Sequence, residues 1–189
     1  MNIVLIRHGA TPGNLLGQYI GCRTDEPLCE KGKENLICFS YPPVSQIFAS
    51  PMLRCLQTAK LIYPDIIPKI IPDFRECDFG EFEGKNYADL CGDSQYQAWI
   101  DSGGTLPFPG GESRVELTAR TLAAFHSLLP FILSQPSAII AHGGTIMSIM
   151  EHYAKPSRDY FDYQVRNGRG YNLDLIDGHF VQIPKCLSG

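Results

Sequence analysis

Residues 2–11 read NIVLIRHGAT, and residues 138–146 read AIIAHGGTI. In each, a short apolar run stops at a polar group followed by glycine: Arg7-His8-Gly9 in the first, His142-Gly143 in the second. Runs of this length without alternation read as strands buried on both faces. Strands of that kind belong to sheets covered by helices on both sides. In such sheets ligands bind beyond the carboxyl ends of the strands. The residues just past the two runs are therefore the first candidates for chemistry.

The pattern between the runs supports that sheet. Residues 13–27 are rich in Gly, Pro and polar groups and read as a loop, and a helix is expected from about Leu28 to Phe39, weakened by Gly32. QIFAS, residues 46–50, reads as a second buried strand. Ser50-Pro51 then supplies an N-cap and a first-turn proline for a helix through MLRCLQTAKLIY. IIPKIIP, residues 66–72, reads as a short third strand. Residues 85–111 read as irregular or only partly helical. SRVE at 113–116 is a capping box. Val115, Thr118, Leu122, Phe125, Leu129 and Ile132 follow at helical spacing, which predicts a long amphipathic helix. SAIIA at 137–141 is the fourth strand, followed by a helix from Gly144 to about Tyr153. YNLDLID and HFVQIP suit a closing hairpin around Asp177-Gly178. Alternating strands and helices predict an α/β fold, a three-layer α/β/α sandwich with a mostly parallel sheet.

The bulk composition narrows the function. The chain has 189 residues, 44% hydrophobic and 19% charged, which suits one globular domain over 1–189. A net charge of −4 and no long basic block argue against a nucleic-acid partner. No stretch is long enough to span a bilayer. The apolar run at 3–6 is too short for a secretory leader. The seven cysteines, at 22, 29, 38, 55, 77, 91 and 186, form no C-x-x-C pair. Free thiols in a reducing cytoplasm are the expected state, and no metal site is indicated. Cys55 and Cys77 are expected to be ordinary reduced thiols. A homodimer is left open.

The strand ends gather anion-binding chemistry at one edge of the sheet. Arg7 and His8 follow the first strand, Arg54 lies early in the helix after the second, and His142-Gly143 open a helix after the fourth. Guanidinium forks suit phosphate oxygens, and a helix N-terminus offers free N–H groups. A neutral imidazole there can hold a phosphoryl group or attack it. The leaving oxygen then needs a proton. FRECDFGEFEG supplies Glu76, with Glu81 and Glu83 nearby; the last two read as a solvated loop face. His126, His152 and His179 are given no role. Tyr87, Tyr96 and Trp99 read equally well as pocket-facing or as packing.

Five blocks in order, RHG at 7–9 with Asn14, TDEPL at 24–28, SPMLRCLQTA at 50–59, ECDFGEFEG at 76–84 and HGG at 142–144, resemble the histidine phosphatase superfamily. That family includes phosphoglycerate mutases and α-ribazole phosphatases. The resemblance implies a phosphoglycerate mutase-like fold with a small cap inserted at about 85–111. It implies that His8 is the nucleophile that becomes phosphorylated, and that Arg7, Arg54 and His142 bind the phosphoryl group. Asn14, Thr24 and Gly143 are carried over as substrate-pocket residues, and Glu76 as the proton donor. No metal or other cofactor is implied. Ala10 stands where acidic residues are frequent, and Phe82 where Trp is common.

The expected activity is hydrolysis of a small phosphorylated metabolite. YIGCRTDEPLCEKG and PGGES most resemble α-ribazole phosphatases of cobalamin assembly. A broad-specificity phosphatase and a phosphoglycerate mutase are the alternatives. Residues 86–113 contain no Lys or Arg, which counts against a mutase, whose substrate carries a carboxylate beside its phosphates. A non-catalytic phosphate-binding module is disfavoured, because every chemical residue is present.

Overall fold

β1 (Asn2–Arg7) lies inside a seven-stranded sheet with β2 (Gln46–Ala49), β3 (Lys69–Ile70), β4 (Ser137–Ala141), β5 (Ala154–Lys155), β6 (Gly170–Ile176) and β7 (His179–Cys186). The strand order is β3-β2-β4-β1-β6-β7-β5. The computed structural model describes residues 2–176 and 179–186, and side chains for 3–174. β1, β4, β2 and β3 run parallel to one another, as do β5 and β7, while β6 is antiparallel to β1 and β7. The expected closing hairpin is therefore present as β6 and β7, and its turn at Asp177-Gly178 lies outside the described residues.

β1 shows why its sequence is apolar throughout. Ile3 and Leu5 pack into one core, with Phe125, Leu128 and Ile132 of α5 (Arg114–Ile132) and Ile146, Ile149 and Met150 of α6 (Gly143–Tyr153). Val4 and Ile6 turn the other way, onto Cys55 and Ala59 of α3 (Leu53–Ile62). All four β1 side chains are fully buried. Burying one such side chain is worth about 1.5–3 kcal/mol. A one-residue slip would exchange the two faces of the strand and misfit both cores.

The helices on either side set where the chain enters and leaves the sheet edge. α2 (Glu30–Ile37) is shorter than its sequence pattern, because Cys29 is the N-cap and its Sγ accepts from the Gly32 N–H at 3.3 Å. α3 begins at Leu53 with no side-chain cap; the Ser50 hydroxyl is committed elsewhere. β3 keeps only two residues of the expected strand, both exposed. Within the expected loop, α1 (Pro12–Leu15) forms a single turn closed by a Thr11/Asn14 capping box. The Ser113/Glu116 capping box opens α5 as expected, but the buried face of that helix is rotated by about one position. It runs through Leu117, Thr121, Ala124, Phe125, Leu128 and Ile132, and Val115 is 73% exposed. Leu117 is drawn away from the sheet cores into a third cluster with Cys77, Phe82, Leu90, Tyr96 and Phe108, which the periodicity of α5 alone does not encode.

That third cluster packs residues 85–111 against Cys77, Phe82 and Leu117. Within residues 85–111 the only helix is α4 (Ser94–Asp101), capped by Asp93, whose Oδ1 accepts from the Gln95 and Tyr96 N–H groups at 2.8 and 3.1 Å. Tyr96 is buried in the cluster and Tyr87 is 70% exposed. No described helix is long and apolar enough to cross a membrane.

Gly32 of α2 packs on the backbone just past β1. A Cβ there would stand 2.1 Å from the Ala10 carbonyl oxygen. In an open helix Gly→Ala gains about 1 kcal/mol. Here Gly32→Ala is expected to destabilise by about 1–3 kcal/mol, because neither backbone can give way. Urea midpoints measure this, and a stabilised variant would contradict the packing.

Candidate active site

The parallel ladder brings the strand ends to one level. Arg7 pairs with Ala141, and Ala49 with Ile140. One step further on, the His8 N–H donates to the Ala141 carbonyl at 3.0 Å and the Ser50 N–H to the Ile140 carbonyl at 3.0 Å. His8, Ser50 and His142 therefore stand side by side. The rings of His8 and His142 lie edge to face, with centroids 5.1 Å apart.

His8 is held in one tautomer. Its Nδ1 is 2.7 Å from the Gly9 carbonyl oxygen, which can only accept, so the proton sits on Nδ1. Nε2 is left with its lone pair. Burial, then the charges of Arg54 and Arg7, hold the imidazole well below its usual range, so it is neutral at pH 7. The turn is fixed from two sides. The Gly9 N–H donates to Thr58 Oγ1 at 3.0 Å, and Asn167 Nδ2 donates to the His8 carbonyl at 3.1 Å.

Two guanidinium groups converge without an ion-pair partner. Arg7 Nη1 donates to the Val165 carbonyl at 2.8 Å. Arg54 is fully buried and donates to the carbonyls of Thr24 at 2.9 Å and Gly21 at 3.0 Å. Among the described residues neither forms an ion pair, and each keeps a buried Nε–H with no partner. Burying an unpaired cation costs several kcal/mol, so two together mark a place made for an anion. The N-terminus of α6 adds to this. His142 is its N-cap, and Gly143 lies across from Arg7, whose Cζ would be 3.8 Å from a Cβ placed there.

Glu76 lies on the cavity wall, 7% exposed. One carboxylate oxygen accepts from the Cys77 N–H at 2.9 Å and would touch a Cβ on Gly144 at 2.8 Å. Burial raises its pKa above the ordinary carboxylate value, against the Cys77 N–H and the charges of Arg54 and Arg7. Asn14 also lines the cavity. Its Oδ1 accepts from Asn167 Nδ2 at 3.0 Å and the Thr11 N–H at 3.3 Å, which leaves its own NH₂ for a ligand.

The cavity, about 280 Å³, reaches Arg7, His8, Asn14, Glu76 and Gly143. Arg54 and His142 lie fully buried behind it. Thr24 does not line it; its backbone carbonyl anchors Arg54 instead. Ser50, read as a helix cap, holds His142 Nε2 at 2.7 Å. Glu83, read as solvated, accepts from the Gly21 N–H at 2.9 Å, and Glu81 is exposed. The thiol of Cys55, 3.6 Å from His142 Nε2, is pushed by burial up to about 12, and burial also raises that of Cys77. Both are unreactive at neutral pH.

The outer wall is aromatic, with Tyr19, Phe79, Trp99, Phe108 and Phe161. Trp99 thus faces the pocket. Arg114, one residue past the segment without cations, also lines it, 5.1 Å from the Tyr160 ring centroid. Asn167, Thr58, Arg114 and Arg120 were not singled out by the sequence reading. Asn167 and Thr58 act through side-chain to backbone bonds to residues 49 or more positions away. No local pattern announces such bonds.

The sequence profile of the histidine phosphatase superfamily (branch 1) matches residues 3–183. The adenosylcobalamin/alpha-ribazole phosphatase of Salmonella typhimurium is 27% identical over 187 residues, covering 94% of this chain and 92% of that protein. A 2,3-bisphosphoglycerate-dependent phosphoglycerate mutase of Rhizobium etli is 30% identical over 165 residues, covering 79% and 78%. Among solved structures, the alpha-ribazole phosphatase of Shigella flexneri has the same fold, with a TM-score of 0.83 at 24% identity over 100% of this chain and 96% of that one. The phosphoglycerate mutase of Thermus thermophilus gives 0.76 at 26% identity over 100% and 99%. With its anion-ready strand ends and a match over nearly its whole length, the chain belongs to the histidine phosphatase superfamily.

Proposed function

We propose that the protein hydrolyses a phosphomonoester through a phosphohistidine at His8, with α-ribazole 5′-phosphate as the substrate that its cavity and relatives best support. The observation that carries the reading is the two guanidinium groups, half-buried Arg7 and fully buried Arg54, each with an unpartnered buried Nε–H and no ion pair, beside a neutral imidazole. The phosphoryl oxygens meet Arg7, the Asn14 amide and the Gly143 N–H, and Arg54 and His142 act on them from behind the cavity wall. The His8 Nε2 lone pair attacks phosphorus as the ester P–O bond breaks. Glu76 gives its proton to the leaving oxygen, then takes one from the water that attacks phospho-His8, and inorganic phosphate departs. The cations offset charge on the transferring group, which is the main work of such a site.

The aromatic wall suits a leaving group with a flat face, and α-ribazole carries a heteroaromatic base on its ribose. Arg114 favours a second reading, because a cation beside the cavity can meet the carboxylate of a phosphoglycerate. The hydrolytic reading is preferred because, beyond Arg7 and Arg114, no cation lines the cavity. Residues 85–111 serve as the substrate cap. The cytoplasm is the proposed location, supported by six free cysteines among the described residues.

Brief incubation with ³²P-labelled substrate should give an acid-labile label that maps to His8, and His8→Ala should abolish it. A label on Asp or Ser, or an active His8→Ala, would refute the mechanism. In a panel that includes α-ribazole phosphate, 3-phosphoglycerate and phosphoserine, the first should have the highest kcat/KM. Mutase turnover of 3-phosphoglycerate at a comparable rate would instead select the second reading.

The pH dependence has a definite sign. A raised pKa keeps the proton on Glu76 to higher pH than on an ordinary carboxyl group, and the proton is lost as pH rises through that value. His8 is already neutral well below pH 6.5. Phosphorylation by an alkyl phosphate should therefore fall on the alkaline side. Glu76→Gln should be slower by about 10²–10⁴-fold at the optimum and should lose that limb. Comparing the two enzymes on one substrate cancels the titration of the substrate itself. An unchanged alkaline limb in Glu76→Gln would assign it to another group.

A further inference from the structure

Arg120 of α5 uses all five of its N–H donors on one small region. Nε and Nη2 bind the two carboxylate oxygens of Glu112 at 2.6 and 2.8 Å. Nη1 donates to the carbonyls of Asp73 at 2.6 Å and Arg75 at 2.9 Å, and Nη2 also donates to the carbonyl of Glu76 at 3.1 Å. Both partners of the Arg120–Glu112 pair are 12% exposed, so water competes little for these bonds. Three successive contacts thus fall on the backbone that carries the Glu76 carboxyl group.

That backbone is also held at Phe74 and Cys77, each buried in a core, and by the Cys22 N–H on the Cys77 carbonyl at 3.1 Å, but no regular element carries it. Pro72–Phe74 is a single 3-10 turn, and residues 75–79 belong to no helix or strand. Glu112 extends the hold to the far side of Glu76. Its backbone N–H donates to the Asp78 carbonyl at 2.8 Å, and its Oε2 accepts from the Asp78 N–H at 3.3 Å. Glu112 follows directly on the cap segment, so one guanidinium joins α5, the end of the cap and the Glu76 turn. Lysine could not replace it, because a single ammonium cannot span that fan of acceptors.

We propose that Arg120 is a positioning residue for the Glu76 carboxyl group: locked in place by Glu112, its guanidinium clamps the carbonyls of Asp73, Arg75 and Glu76 and sets the carboxyl against the start of α6. This rests on the reading of Glu76 as the proton donor. Geometry, and not charge, is the contribution. The positive charge of Arg120 favours the carboxylate form of Glu76 and so works against proton donation.

The test is single-turnover phosphorylation by an alkyl phosphate and by p-nitrophenyl phosphate, whose leaving group hardly needs a proton. Arg120→Met, Arg120→Lys and Glu112→Gln are compared with Glu76→Gln, with urea midpoints measured for each. Arg120→Met should lose about 10–10²-fold on the alkyl phosphate, the scale of a small misplacement of a catalytic group. It should lose about threefold or less on p-nitrophenyl phosphate. Adding it to Glu76→Gln should cost little more on either substrate. Arg120→Lys and Glu112→Gln should show the same contrast in weaker form, and they carry the test if Arg120→Met does not fold. Equal losses on both substrates by the clamp variants, with the contrast intact in Glu76→Gln, would make the clamp merely structural and overturn the proposal. Wild-type behaviour of Arg120→Lys would assign the effect to charge and overturn it too. Absence of the contrast in Glu76→Gln itself would overturn the reading of Glu76, and the clamp with it.

Discussion

The His8 N–H donates to the Ala141 carbonyl at 3.0 Å, one rung beyond the last paired residues of β1 and β4. That hydrogen bond continues the sheet ladder into the functional residues, so the position of His8 is set by the same register that buries the core. Each neighbour follows from it. Ser50 extends β2 in the same way and presents its hydroxyl to His142, and His142 caps α6, whose first N–H groups open onto the cavity. Because both faces of β1 are buried, the ladder cannot shift without moving two cores. The rigidity the chemistry needs is thereby a by-product of packing.

Burial then sorts the protonation states. Desolvation favours the uncharged form of any group. For His8 that form is the one the proposed nucleophile needs, and the charges of Arg54 and Arg7 push the same way. For Glu76 it is the one the proposed proton donor needs, and there the same two cations resist without reversing the direction. One dry, positive environment thus prepares a base-like imidazole and an acid-like carboxyl group side by side, the pairing a two-step transfer requires. The unpaired guanidiniums are a strain on the free protein that an anion relieves.

Specificity is assigned to a different layer of the molecule. The proposed phosphoryl site is built from strand ends and helix starts, whereas the aromatic wall of the cavity comes from residues 85–111 and neighbouring loops. Tyr19, Phe82, Tyr96, Trp99 and Phe108 form a set of mostly edge-to-face and tilted rings, with the stacked Tyr96–Trp99 pair at 6.3 Å, that gives the cap its own core despite its single helix. Trp99 and Phe108 take part in that core and also line the cavity, so packing and recognition share side chains.

The amino-acid sequence by itself determined the buried strands β1, β2 and β4, the points at which they end, and the residue types waiting there. Apolar runs of strand length and glycines past a polar group are local signals, and the order of the blocks from Arg7 to His142 pointed to the family. The capping box at Ser113 was legible for the same reason. Only the tertiary structure decided which neighbours each group would meet. Ser50 became a partner of His142 and not a helix cap, Thr24 offered its carbonyl and not its side chain, and Glu83 was drawn in by the Gly21 N–H. The buried face of α5 turned because Leu117 joined the cap. Asn167 and Arg120 bind backbone carbonyls 44–159 residues away. A carbonyl accepts regardless of its residue type, so such bonds leave no periodicity, and they come into being only when the sheet register has brought the segments together.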